Sequence, residues 1–255
     1  CSSDLIKNNI DSKIALESDS DYFQIKKRKA LELADCIIAP SRFTTELYHL
    51  EGFGIASLNK NGVTFPTKLS DKKPARPLRF GYVGGNTDIK GFHLIKKVFS
   101  KLSAEDACLV IVDNTLNLGY RSFSDHDLSG FKNVEVIPAF TQANMDEFYD
   151  SIDVLLYPTQ SKESFGLTVR EALIRNVWVI TSDAGGAAED IIVGENGYVI
   201  PFNNNPDDLQ GAVQQTLNWF ANRNPSEITR LPHSHVRSFD EQYDELADIY
   251  LEMLK

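Results

Sequence analysis

Five short apolar runs between Leu78 and Ser182 limit the fold more than any other feature of the chain. They are LRFGYVG (Leu78–Gly84), CLVIVD (Cys108–Asp113), VEVIP (Val134–Pro138), DVLLYPT (Asp153–Thr159) and VWVITS (Val177–Ser182). Runs that are apolar at consecutive positions need cover on both faces, and a sheet sandwiched between helices supplies it. Helix-period segments fill the intervals, at Phe92–Leu102, Asn144–Ser151, Gly166–Arg175, Ala187–Val193 and Pro206–Ala221. The fold class expected is therefore α/β, a doubly wound parallel Rossmann-like sheet that takes its ligands beyond the carboxyl ends of its strands.

Upstream, Tyr22–Ala34 reads as a helix and CIIAP (Cys36–Pro40) as a strand. Ser41 is a good N-cap for a second helix through Leu50, stopped by Gly52 and Gly54. Residues 61–77, NGVTFPTKLSDKKPARP, are polar and rich in Lys and Pro, the composition of a linker. A last amphipathic helix is expected over Phe239–Leu254. The chain thus divides into residues 1–60, a linker at 61–77, a sheet domain at 78–236 and a terminal helix at 237–255.

With 42% hydrophobic and 24% charged residues, the 255-residue chain has ordinary globular composition. Its net charge of −10 argues against a nucleic-acid partner. The one basic run, Lys26–Lys29, lies in a helical pattern and reads as a solvated face. No apolar run is long enough to span a bilayer. The opening CSSDLIKNNIDSK has neither an initiator Met nor an apolar signal core, so a fragment or a processed piece is expected. Cys1, Cys36 and Cys108 lack metal-ligand spacing; Cys36 and Cys108 read as buried small hydrophobes in a reducing compartment. His49, His93, His126, His233 and His235 read as surface or packing residues.

Two turns at strand ends carry the chemistry. In VGGNTDIKGF (Val83–Phe92), Gly84 and Gly85 let backbone amides approach an anion, and Lys90 adds a positive charge. The turn is neither a Walker loop nor a G-x-G-x-x-G fingerprint, and a plain strand-to-helix turn fits it equally. In KESFGLTVREAL (Lys162–Leu173), Glu163 precedes a helix beginning near Gly166 and Glu171 lies within it. Eight helical residues span roughly 12 Å, so these carboxylates flank a site rather than share a proton. No further His or Asp stands nearby to make a metal site. The layout suits a ligand with a central diphosphate and hydroxyl-bearing rings at both ends, although acids that complement a helix dipole fit it as well.

KESFGLTVREAL resembles the Glu–seven residues–Glu signature of the retaining family 4 glycosyltransferases, the glycosyl transferases group 1, which have two Rossmann-like domains in a GT-B fold. VGGNTDIKGF resembles their first C-domain turn. VWVITSDAGGAAEDIIVGENGYVI resembles the segment after the signature, with its Gly-Gly turn, Glu189 and NGY hairpin. ADCIIAPSRFTTELYHLEGF and NKNGV look like the end of the N-terminal, acceptor-side domain. The resemblance covers nearly all of residues 30–255. It implies a donor-binding half in which Glu171 binds ribose hydroxyls and Glu163 the transferred sugar. Amides of Phe165, Gly166 and Leu167, together with Gly84 and Gly85, would hold the diphosphate, and Lys90 would neutralise it. The base would sit at Ala139 and Phe140, and the terminal helix would pack back on the N-terminal side.

The same resemblance implies transfer with retention, without metal or cofactor. The substrate would be a nucleoside-diphosphate sugar, UDP first and GDP or ADP next, and the acceptor a glycan or a lipid-linked molecule. It also implies a cytoplasmic protein; enzymes with lipid-linked acceptors often work at the membrane surface, and the sequence leaves that contact open. Two departures stand out. Gly85 occupies a position where many relatives have Arg, so either Lys90 suffices or Arg79, Lys162 or Arg170 reaches in. Trp178 stands where relatives often have Pro, and packing against the sheet is expected of it. Two other readings are a catalytically incomplete sugar-nucleotide-binding module and a nucleotide-sugar epimerase.

Overall fold

The computed structural model describes residues 25–69, 74, 76–223, 231–233 and 235–255. Cys1, the first residues of the Tyr22–Ala34 helix and positions 70–73 and 75 of the linker lie outside them. The elements run α1 (25–32), β1 (Ile37–Ala39), α2 (Arg42–Leu50), β2 (Ala56–Leu58), β3 (Leu78–Val83) and α3 (Phe92–Phe99). They continue with β4 (Ala107–Asp113), α4 (Asp125–Leu128), β5 (Val134–Pro138), α5 (Met145–Ser151), β6 (Val154–Tyr157) and α6 (Leu167–Leu173). The last are β7 (Trp178–Ser182), β8 (Gly197–Ile200), α7 (Pro206–Ala221) and α8 (Phe239–Met253).

Six strands form one sheet in the order β5-β4-β3-β6-β7-β8, every pairing parallel. That is the doubly wound order expected: the chain moves outward from β3 to β5, then returns to β3's other side with β6. Side chains alternate between two cores. Leu109 and Ile111 of β4 pack on one face with Leu94, Ile95 and Val98 of α3 and Val213 of α7. Cys108, Val110 and Val112 of the same strand face Phe148 of α5 and Val169 and Leu173 of α6. Trp178 is fully buried, 4.4 Å from the Trp219 ring, in the packing role expected of it.

Three local expectations need correction. Ala187–Val193 is not a helix: a short 3₁₀ turn covers Gly186–Ala188 only. The side chains of Glu189 and Asp190, which follow it, are drawn into separate contacts described below. The NGY segment is not a hairpin but the start of β8, which lies parallel to β7. Cys36 is half-buried just ahead of β1, whereas Cys108 is buried as expected.

Residues 59–63 run against α8. Asn59 Nδ2 donates to the Gln242 carbonyl and to Glu245 Oε2, both at 3.1 Å, and the Gly62 amide donates to Gln242 Oε1 at 2.8 Å. A Cβ on Gly62 would lie 2.5 Å from the Ser238 carbonyl oxygen, so only glycine permits this approach. Among the described residues no helix is long and apolar enough to cross a membrane.

Candidate active site

In a sheet of this order the connections leave β3 and β6 on opposite faces, and a crevice opens between their carboxyl ends. The turn after β3 and the loop after β6 line it, and they are joined to each other. Gln160 N donates to the Ile89 carbonyl at 2.7 Å, and Thr159 Oγ1 lies 3.3 Å from the same oxygen. Gly91 sits at φ +78°, and a Cβ there would lie 2.0 Å from the Pro158 carbonyl oxygen. Glycine at 91 is what lets the two loops meet.

Lys90, one residue earlier, reaches across this junction. Its Nζ lies 2.7 Å from Glu163 Oε1, to which Thr159 Oγ1 also donates at 3.2 Å. Burial pushes the Tyr157 phenol above its ordinary range, and the charge of Glu163 and a hydrogen bond to it push it further. Tyr157 therefore stays neutral beside the carboxylate. The Glu163 backbone is fixed as well: its N–H donates to the Ala184 carbonyl at 2.7 Å, and its own carbonyl accepts from Gly186 N at 2.9 Å.

Glu171 lies on α6, where its Oε2 accepts from the Tyr149 hydroxyl of α5 at 3.0 Å. The two glutamates share no hydrogen-bond partner among the described residues. Between them, Gly166 caps α6 at φ +81°. The amides of Phe165, Gly166, Leu167 and Thr168 donate no hydrogen bond to another described residue. Ala139 and Phe140 follow β5; the Ala139 carbonyl accepts from Asn117 Nδ2 at 3.0 Å, and the Phe140 ring stacks on Phe148 at 4.7 Å. Gly85 has φ +70° and open space where a side chain would stand, and its carbonyl accepts from the Tyr82 hydroxyl at 2.8 Å.

The sequence profile of the family described as "Glycosyl transferases group 1" matches residues 67–219. This chain belongs to that family. Spore coat protein SA of Bacillus subtilis is 24% identical over 148 residues, which are 53% of this chain and 38% of that protein. Sucrose-phosphate synthase of Thermosynechococcus elongatus has the same fold at 19% identity and a TM-score of 0.66, covering 89% of this chain and 60% of its own. HepE of Anabaena, solved with UDP and glucose, is 16% identical with a TM-score of 0.63, covering 87% and 64%. The chain thus spans less than two thirds of the length of these relatives.

With the family established, the charge left open at Gly85 can be followed. Arg79 is not near the crevice: it lies at the opposite, amino-terminal end of β3 and pairs with Glu135 at 2.6 Å. Arg170 is fully buried, with Nε 2.7 Å from Asp190 Oδ2. Lys162 leaves the loop away from Glu163, and its Nζ lies over the Phe43 and Phe202 rings at 5.6 and 4.4 Å. Lys90 is the one lysine or arginine among the described residues that pairs with Glu163.

Several contributors have no counterpart in the sequence reading. Glu189, quoted there only as part of a motif, accepts from the Arg42 and Phe43 amides at 3.2 and 2.7 Å and so holds the start of α2 against the sheet domain. Asp113, at the end of β4, is completely buried. Burial works to raise its carboxyl, but hydrogen bonds from Ser122 and Thr115 outweigh that and hold it well below the ordinary carboxylate range. An Asp followed two residues later by Thr was the available signal for such a turn. Among the described residues no cluster of three or more His, Cys, Asp or Glu is arranged to hold a metal. The histidines serve packing and surface contacts; the His233 ring, for instance, lies 6.0 Å from that of Phe65.

Proposed function

We propose that this glycosyltransferase binds a nucleoside-diphosphate sugar across the β3/β6 crevice. It transfers the sugar to a glycan, a lipid or another acceptor with retention of configuration and without a metal ion. The observation that carries the reading is the Lys90–Glu163 contact, 2.7 Å across the switch point of a parallel sheet. A cation and a carboxylate held together there suit a ligand that is anionic at its leaving group and rich in hydroxyls beside it.

Lys90 and the amides of Phe165, Gly166 and Leu167 take the diphosphate, beside the open backbone of Gly84 and Gly85. As the glycosidic bond breaks, charge builds on the diphosphate, and these donors are already oriented toward it. Glu163, released from Lys90 by the incoming phosphate, accepts from hydroxyls of the transferred sugar. Glu171 accepts from the ribose hydroxyls, and the base lies against Ala139 and Phe140. UDP is the first candidate, in keeping with HepE, which has been solved with UDP-glucose. A donor-binding module that does not itself carry out transfer is the second reading, since every residue assigned above acts on the donor and none on the acceptor.

Calorimetry with UDP-, GDP- and ADP-sugars tests donor binding, and proton NMR of the product tests retention. Binding of one donor class, an unchanged anomer and activity that survives EDTA are the expected results. Failure of all three donors to bind would sink the reading, whereas binding without transfer to any acceptor selects the module.

A further inference from the structure

Behind the crevice three charged side chains are buried together. Asp190 accepts from Arg170 Nε through Oδ2 and from Lys60 Nζ through Oδ1, each at 2.7 Å. Arg170 is 0%, Asp190 2% and Lys60 6% exposed. Arg170 Nη1 donates to the Phe165 carbonyl and, at 3.4 Å, to that of Ala187. The guanidinium also lies 4.2 Å from the centre of the Phe165 ring. Its Nη2 is buried without a partner among the described residues.

Such an arrangement is a poor way to gain stability, because apolar side chains of similar volume do as well or better at buried ion-pair sites. What it supplies is direction. In a planar trans peptide the C=O and the following N–H point to opposite sides. Arg170 draws the Phe165 carbonyl toward the buried cluster, so the Gly166 N–H faces away from it, and that N–H donates to no other described residue. Gly166, at φ +81°, has no room for a side chain, because the Cβ of Ala187 stands 2.9 Å from where its own would be. Asp190 fixes Arg170 in turn, and Lys60 holds the second oxygen of Asp190 from the segment that precedes the sheet domain.

We propose that Arg170, anchored by Asp190 and Lys60, is a positioning residue that sets the Phe165–Gly166 peptide and thereby aims the Gly166 amide at the donor diphosphate. The inference rests on the donor reading above and adds to it residues that never touch the ligand. One variant carries Lys60→Met, Arg170→Met and Asp190→Leu together, which removes all three charges and leaves none unpaired. A second, Arg170→Lys, keeps a cation beside Asp190 but lacks the planar fork.

Each variant is titrated with UDP and with uridine, or with GDP and guanosine if the parent chain prefers them, and its thermal midpoint is recorded. Diphosphate affinity is expected to fall about tenfold while nucleoside affinity stays within about twofold, in a protein that still melts cooperatively. Equal losses for diphosphate and nucleoside, or no loss at all, overturn the proposal. If the triple variant does not fold, Arg170→Lys decides the question by the same comparison. A parent chain that binds no diphosphate brings down the donor reading and this inference together; a parent that binds, with variants that bind as well, brings down this inference alone.

Discussion

Replacing Lys90 by Met separates ground-state pairing from stabilisation of the leaving group. The Lys90 side chain is 37% exposed and that of Glu163 19%, so solvent screens their attraction. A pair of this kind contributes about 0–1 kcal/mol to folding. Glu163 also keeps Thr159 as a donor at 3.2 Å, so its carboxylate is not left bare. The thermal midpoint should therefore fall by no more than about 4 °C. During transfer the balance differs, because no other lysine or arginine among the described residues pairs at Glu163. Loss of one oriented donor to a developing anion typically costs about 10²–10³ in kcat, or about 2.7–4 kcal/mol. The assay is turnover of the donor that binds in the screen, beside calorimetry with the free nucleoside. A large fall in kcat with nucleoside affinity nearly unchanged is expected. Nucleoside affinity and kcat falling by the same factor would refute the reasoning, as would a stability loss above about 3 kcal/mol, which would make Lys90 structural.

Glu171→Ala should weaken nucleotide binding by about 1.5–3 kcal/mol, since buried ribose hydroxyls would lose a charged acceptor; unchanged affinity by calorimetry would remove Glu171 from the site. Gly91→Ala should destabilise the fold by at least about 2 kcal/mol in urea titrations, because its Cβ would overlap the Pro158 carbonyl and the residue has φ +78°. Asp113 has its folded-state value depressed, so its contribution is fully present above the ordinary carboxylate range and is lost as pH falls through the depressed value. Between about pH 5 and pH 2 the parent should lose stability more steeply than Asp113→Asn, and parallel slopes would show that the carboxylate is not the group titrating.

The strands were legible because burial on two faces leaves a local trace. ACLVIVD is buried at every position, and its alternate residues divide between the two cores. Helix ends marked by their own side chains were also readable: Ser41 caps α2 as expected, and α7 begins at Pro206 and ends at Ala221. The Ala187–Val193 helix failed because long-range contacts decided it. Glu189 is engaged by α2 and Asp190 by Arg170 and Lys60, and neither partner leaves a sign in the local pattern. Strand β8 was hidden for a related reason: four residues, two of them only half-buried, carry little apolar signal at an edge position.

The sequence by itself determined the α/β class, the first five strands of the sheet, the two turns at strand ends and the pair of glutamates, because each is written within about a dozen neighbouring residues. Only the tertiary structure decided which charges act together. Lys90 meets Glu163 across 73 positions and Lys60 meets Asp190 across 130, distances over which residue spacing carries no information. It also withdrew Arg79 and Arg170 from the crevice, the first to the far end of its strand and the second into a buried cluster. A charge does not reveal its partner in a linear chain; the parallel crossovers bring distant loops to one edge of the sheet, and contact distance then selects the pairs.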